Sequence, residues 1–240
     1  MLTPLPIHRP HPQHADPDEE AKVETIASIL GLSRVGFLLN QSTKEKDYLI
    51  STAELMDMAR MQGEYGDTFV TAVVSMFASE EGAAPDVQFE AYQCTNQCVK
   101  LFAEGWFTEE GKHTGVSYLQ DPREPAKKAP VIVAGKDTNE VDNEWFLCPV
   151  KILDHQGVLS SDFPIENRLT PQGMSELAAH LKQRASQPFV RALSDFHLLL
   201  YLAKHANLDA NDVATIVQSV GDQSQVQEGY KIIIESIANM

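Results

Sequence analysis

Four groups of residues in this 240-residue chain have the side-chain types that chemistry uses. Ser194, Asp195 and His197 supply the members of a hydrolase triad. They lie within one short segment, where a nucleophile, a base and an orienting carboxylate cannot converge as a triad must. On an ideal helix Asp195 and His197 point roughly 200° apart. Structural roles follow instead: Ser194 or Asp195 satisfying backbone groups at a kink, and His197 hydrogen-bonded in a core. The second group is Phe163-Pro164-Ile165-Glu166-Asn167-Arg168. Pro164 sets a corner there, and Glu166 and Arg168 have charges to pair with neighbouring helices and lock two units together. The third is Cys94 and Cys98, one helical turn apart. Zinc takes four N or S donors, and Cys148 is the only other cysteine, so small buried thiols are expected. The fourth is His8, His11 and His14, on a segment broken by prolines at 4, 6, 10 and 12. That segment, residues 1–15, reads as a disordered, solvated tail. No catalytic or metal-binding set emerges.

The elements that must position these groups are legible in part. Phe189 to Ala206 is the most apolar stretch of the chain, and Phe189, Leu193, Phe196 and Leu200 fall on one helical face. Leu198, Leu199, Tyr201 and Leu202 fill the other faces, so the spacing predicts one buried central helix. Before it, Thr170-Pro171 is expected to cap a helix burying Met174, Leu177, Ala178 and Leu181. After it, Asp209 caps a helix with Val213, Ile216, Val217 and Val220 inward, and the last helix places Val226, Tyr230, Ile233 and Ile237 on one face.

Upstream the pattern is mixed. Asp16-Pro17 opens a helix that Gly31 ends. Residues 35–39 read as a strand buried on both faces, and Ser51-Thr-Ala-Glu54 as a capping box. TFVTAVVSMF (68–77) is β-branched enough for a central strand. In 87–93, Val87, Phe89 and Ala91 alternate inward against polar partners, and the two strands pair antiparallel. A helix starts at Cys94, residues 108–144 form a long polar insertion ordered only around 131–133, and a strand runs from Trp145 to Leu153. The fold class is therefore α+β: a mixed sheet-and-helix unit over 16–165, then a helical unit over 166–240.

The balance of 19 basic against 34 acidic residues, a formal charge of −15, argues against a nucleic-acid backbone as partner, since phosphate affinity comes from Lys and Arg. An odd cysteine count fits a reducing compartment. The prolines of the first residues do not suit a signal peptide, and no run is long and apolar enough for a membrane span. A cytoplasmic or nuclear protein is expected.

FPIENR followed by SDFHLLLYL resembles the carboxy-terminal region of the nuclear protein localisation protein four family, ubiquitin-recognising cofactors of the AAA unfoldase called valosin-containing protein in animals. VGFLL, TFVTAVV with VQFEAYQ, and QCTNQCVKLFAEGWF resemble the family's metalloprotease-like middle domain, the MPN fold. The closing VQEGYKIIIESIAN is similar to plant and algal members. The likeness runs from about Val23 to Asn239. It implies an MPN-like sheet unit followed by a helical domain, and a receptor for polyubiquitin in protein degradation. An active MPN enzyme holds zinc with an H-x-H pair and an aspartate and activates water with a glutamate. No H-x-H occurs here, so a pseudoenzyme without metal or cofactor is implied. Partner-binding residues under this resemblance are Phe163, Pro164, Ile165, Glu166, Asn167, Arg168, Asp195 and His197, on surface between the two units. The ubiquitin-like and zinc-motif regions that the family places earlier have no counterpart in these 240 residues, so ATPase docking by this chain alone is not carried over. Two other functions stay open: an adaptor that binds ubiquitin fusion degradation protein one without binding ubiquitin, and a zinc isopeptidase relative.

Overall fold

A computed structural model describes residues 16–41, 47–77, 86–153 and 157–239; the tail expected over residues 1–15 lies outside the described residues. The elements, in chain order, are α1 (Pro17–Ile29), β1 (Gly36–Gln41), α2 (Thr52–Tyr65), β2 (Val70–Phe77), β3 (Asp86–Cys94), α3 (Asn96–Ala103), β4 (Val116–Tyr118), β5 (Val131–Val133), β6 (Lys136–Thr138), β7 (Glu140–Asp142), β8 (Leu147–Pro149), α4 (Met174–Gln183), α5 (Phe189–Ala192), α6 (Phe196–Ala203), α7 (Ala210–Asp222) and α8 (Glu228–Ile237). The class is α+β. They fall into two compact units: one takes Arg34–Asp154, and the other joins the chain before it to the chain after it.

The first unit is built on a sheet of order β1-β2-β3-β8. β1 runs parallel to β2, and β3 runs antiparallel to both β2 and β8. α2 begins where the sequence places it: Ser51 Oγ accepts from the Glu54 amide, and Glu54 closes the capping box back onto Ser51. Thr95 caps α3 in the same manner through the Cys98 amide. Leu55, Met58, Ala59, Cys98 and Leu101 from these helices meet Phe37, Leu39, Val73, Tyr92 and Cys94 from one face of the sheet. Cys94 and Cys98 are the buried thiols expected, with their mutual hydrogen bond and then burial holding the Cys98 thiol above its ordinary value.

The other face departs from expectation. Leu38, Val87 and Phe89 are exposed, and Ala91 alone of the predicted inward trio is buried. β1 is covered on one face only: Phe37 and Leu39 pack into the cluster with α2 and α3, while Leu38 on the opposite face is exposed. The polar stretch 108–144 is ordered well beyond 131–133: β4 pairs with β7, and β5 with β6. What organises it is the buried Asn143, whose amide donates to the Ile50 carbonyl at 2.8 Å and whose Oδ1 accepts from Ser117 Oγ at 2.5 Å. The strand expected from Trp145 shrinks to β8, because residues 143–146 close into a 3-10 turn capped by Asp142.

The second unit is helical. α1 belongs here rather than with the sheet, its Ile26 lying in the same apolar cluster as Leu177, Leu198, Leu199, Leu202, Ile216, Val217 and Ile234. The sequence boundary at 165 thus differs from the division seen, since the loop carrying Phe163 also packs into this cluster. α7 matches its pattern in full: Asp209 and Asp212 form a capping box, and Val213, Ile216, Val217 and Val220 are buried. α4 starts later than Thr170-Pro171 suggested, at Met174 after Gly173, and Met174 faces solvent.

Candidate functional site

The single helix predicted from Phe189 to Ala206 is two. α5 stops after one turn, and Asp195 takes an extended backbone (φ −142°, ψ 126°) as the N-cap of α6. The break explains the polar Ser-Asp pair inside an apolar run. Asp195 is fully buried, which a carboxylate tolerates only when hydrogen-bonded or paired. One oxygen accepts from the His197 and Leu198 amides of the helix start, at 2.9 and 3.2 Å. The other accepts from the Asp162 and Phe163 amides, at 2.7 and 2.9 Å. A single side chain therefore caps a helix and fastens a distant loop to it.

The two clusters singled out in the sequence meet around this carboxylate. Ser160 forms a bridge with Asp195, its amide donating to the Ser194 carbonyl at 2.7 Å. Phe163 is buried, edge-on to His180 and tilted against Tyr201. His197 Nδ1 lies 2.7 Å from Glu166 Oε2, and Gln172 Nε2 donates to Glu166 Oε1 at 2.9 Å and to the Pro164 carbonyl at 2.6 Å. Burial pushes the Glu166 carboxyl up, but the hydrogen bonds from Gln172, its own backbone and His197 outweigh it and leave it below the ordinary carboxylate value. Arg184 clamps Asp162, and the Arg184 and Ser160 hydrogen bonds hold that carboxyl below its usual range.

No triad exists. Ser194 Oγ donates to the Val190 carbonyl at 2.8 Å, Asp195 is consumed by backbone amides, and His197 serves Glu166. Among the described residues no group of three or more His, Cys, Asp or Glu side chains is placed to hold a metal, and no helix is long and apolar enough to cross a membrane.

Of the predicted site residues, Phe163 and Asp195 are buried, Pro164, Glu166 and His197 half-buried, and Ile165, Asn167 and Arg168 exposed. Sequence reasoning missed Asp162, Gln172, Arg184 and Leu169. Leu169, one residue beyond the FPIENR motif, is the most exposed large apolar side chain among the described residues. Asn167 adopts the left-handed conformation (φ 57°), which Asn tolerates better than most residues.

Residues 149–237, which contain all of this site, match the model of the NPL4 family. NPL4-like protein 1 of Arabidopsis thaliana is 44% identical over 227 residues, which are 93% of this chain and 53% of that protein. The chain is thus similar to members of the NPL4 family, and its residues 149–237 carry the family's pattern. The NPL4-like protein of Oryza sativa is 43% identical over 93% of the chain and 54% of its own length. The Nuclear protein localization protein 4 homolog of Homo sapiens is 28% identical over 88% of the chain. The chain spans about half the length of the plant relatives it matches. The family match therefore takes in α4 to α8 and the latched loop but not α1, while the plant likeness extends through the sheet unit as well.

Proposed function

We propose that this chain is a non-catalytic, ubiquitin-chain-recognising part of a cofactor for an AAA unfoldase of the valosin-containing-protein type, acting in cytoplasm and nucleus in ubiquitin-dependent degradation. The observation that carries the reading is the Asp195-latched loop in the region matched to the NPL4 family. Its polar groups are spent on holding the loop, which leaves no nucleophile and base in reach of each other and favours binding over catalysis. A sheet unit of MPN type without metal ligands is part of the same reading. The test is titration of the purified chain with ubiquitin chains of the proteasome-targeting linkage, with monoubiquitin as control. Saturable binding, stronger for chains than for monomer, is expected; a folded sample that binds neither rejects the proposal.

One observation favours a second reading. The exposed Leu38, Val87 and Phe89 on the sheet unit support an adaptor that binds ubiquitin fusion degradation protein one through apolar contact. That reading predicts capture of this partner with no affinity for ubiquitin.

A further inference from the structure

The polar stretch 108–144 walls a cleft of about 580 Å³ in the sheet unit, lined by Thr108, Glu110, Tyr118, Lys127, Lys128 and Asn139 among others. The geometry points to a binding site here for a small phosphorylated molecule that carries hydroxyl groups, a sugar phosphate or a nucleotide, with Lys127 and Lys128 on the phosphoryl group and Glu110 on a hydroxyl. The cleft lies within the roughly 300–1,000 Å³ that small-molecule sites span. Backbone bonds fix its walls: the Thr108 amide donates to the Tyr118 carbonyl at 3.0 Å and the Leu119 amide to the Asn139 carbonyl at 2.7 Å. Gln120 Nε2 donates to the Pro125 carbonyl at 3.0 Å and ties the turn leading to the two lysines to the same wall. A ligand met by fixed walls does not have to order them.

The polar side chains of this cleft are unspent. Among the described residues, the Lys127 and Lys128 ammoniums, the Glu110 carboxylate, the Tyr118 hydroxyl and the Asn139 side-chain amide have no hydrogen bond or ion pair. The Thr108 hydroxyl is shielded from solvent and has no partner either, which is rare for a buried polar group. Neighbouring charges are engaged: Arg123 pairs with Glu104, Lys112 with Glu109, and Asp121 accepts from the Arg123 amide. Two unpaired lysines against one carboxylate make the lining positive in a chain whose formal charge is −15. A polynucleotide needs a track of cations along its backbone, whereas two ammoniums suffice for a single phosphoryl group. That group offers three oxygens and carries nearly twice the charge of a carboxylate, so it matches two ammoniums better. Glu110 accepts from a hydroxyl and repels a second anion, which selects a ligand with one charged end and a neutral, hydroxyl-bearing body.

The experiment is calorimetric titration of the full chain with inorganic phosphate, ribose 5-phosphate, adenosine monophosphate and succinate, each variant first checked for folding by circular dichroism. Ribose 5-phosphate or adenosine monophosphate is expected to bind saturably and more tightly than inorganic phosphate. K127E/K128E should weaken that binding roughly tenfold or more, as loss of charge-assisted hydrogen bonds does. K182E, at an exposed lysine of α4 in the helical unit, should change it less than about twofold, because a distant exposed charge is screened. E110Q should weaken ribose 5-phosphate about threefold and leave inorganic phosphate unchanged, since only the first offers a hydroxyl. Adenosine monophosphate binding more tightly than ribose 5-phosphate assigns a nucleotide; otherwise the ligand is a sugar phosphate. A folded wild type that binds neither overturns the inference, as does an equal loss in K182E and K127E/K128E. Succinate binding as tightly as the phosphates overturns the phosphoryl assignment, and unchanged ribose 5-phosphate affinity in E110Q overturns the role of Glu110. These outcomes are independent of whether the chain binds ubiquitin.

Discussion

Each unit contains a buried polar centre that fastens distant segments, and the two are put to different use. In the sheet unit, Asn143, Ser117 and Thr52 hydrogen-bond to one another and to the Ile50 and Val116 carbonyls. All three are buried, and what they fasten is the paired strands β4 and β7 against the start of α2. In the helical unit, Asp195 fastens a loop of similar irregularity, but the loop continues outward through Ile165 to Leu169 into solvent. The chemistry is alike: buried polar groups without partners are costly, so each centre is satisfied. The difference lies in what is displayed. A satisfied centre beneath paired strands explains a fold, whereas one beneath an exposed apolar loop also presents a surface.

The sharpest way to break this comparison is to remove the latch. D195A leaves two loop amides and two helix-start amides without an acceptor, and losing a cap and orphaning buried donors should cost about 3–5 kcal/mol. Urea unfolding reads the loss, and hydrogen exchange at the Asp162 and Phe163 amides should accelerate more than at the α7 core. If those amides exchange at the wild-type rate, the carboxylate does not hold the loop.

N143A should come next, at roughly 2–3 kcal/mol for a buried amide whose loss leaves the Ile50 carbonyl unpaired and Ser117 with Thr52 alone. The same titration with ubiquitin chains should show unchanged affinity in the folded fraction. A large affinity loss would mean that the sheet unit's centre also supports the binding surface.

How these centres could be read in advance differs residue by residue. The capping boxes at Ser51 and Asp209 are local, so three-residue spacing suffices to place them. The Ser194-Asp195 pair was legible as polar residues that the apolar run did not need. That they split one expected helix into α5 and α6 was not, because the reason is the Asp162 and Phe163 amides, more than thirty residues away. Asn143 was hidden for the same reason: its partners Ile50 and Ser117 are distant in sequence, and a polar stretch reads as a loop until they are known. Leu38, Val87 and Phe89 failed in the opposite direction, since alternation gives two faces without saying that one is left uncovered. Leu169 carries no periodic signal, and its exposure is a tertiary fact.

Acid should separate the two centres with a smaller effect. Glu166 and Asp162 are held below their ordinary carboxylate values in the folded chain. A group with a depressed folded value adds stability above its unfolded value, and that addition is lost as pH falls through the folded one. The helical unit should therefore weaken as pH drops below about 4.5, the ordinary value for Glu166, while the Asn143 centre has nothing to titrate. Urea midpoints followed by helix-unit and sheet-unit probes check this, and E166Q with D162N should flatten the helical unit's dependence. An undiminished acid response in that double variant would place its origin elsewhere in the unit.

The smallest expected effect is also the one that tells the two apolar displays apart. Phe89 on the sheet unit is exposed as Leu169 is on the helical one, and substitutions of exposed side chains usually stay within about 0.5 kcal/mol. F89S should thus leave stability nearly untouched, and chain affinity for ubiquitin as well, because no latched loop stands beneath Phe89 to fix it for a partner. Pull-down of ubiquitin fusion degradation protein one with F89S and with L169A completes the comparison. Loss with F89S alone assigns that partner to the sheet face and ubiquitin to the loop. If F89S instead lowers ubiquitin affinity, a buried polar centre is not what distinguishes a binding surface in this chain.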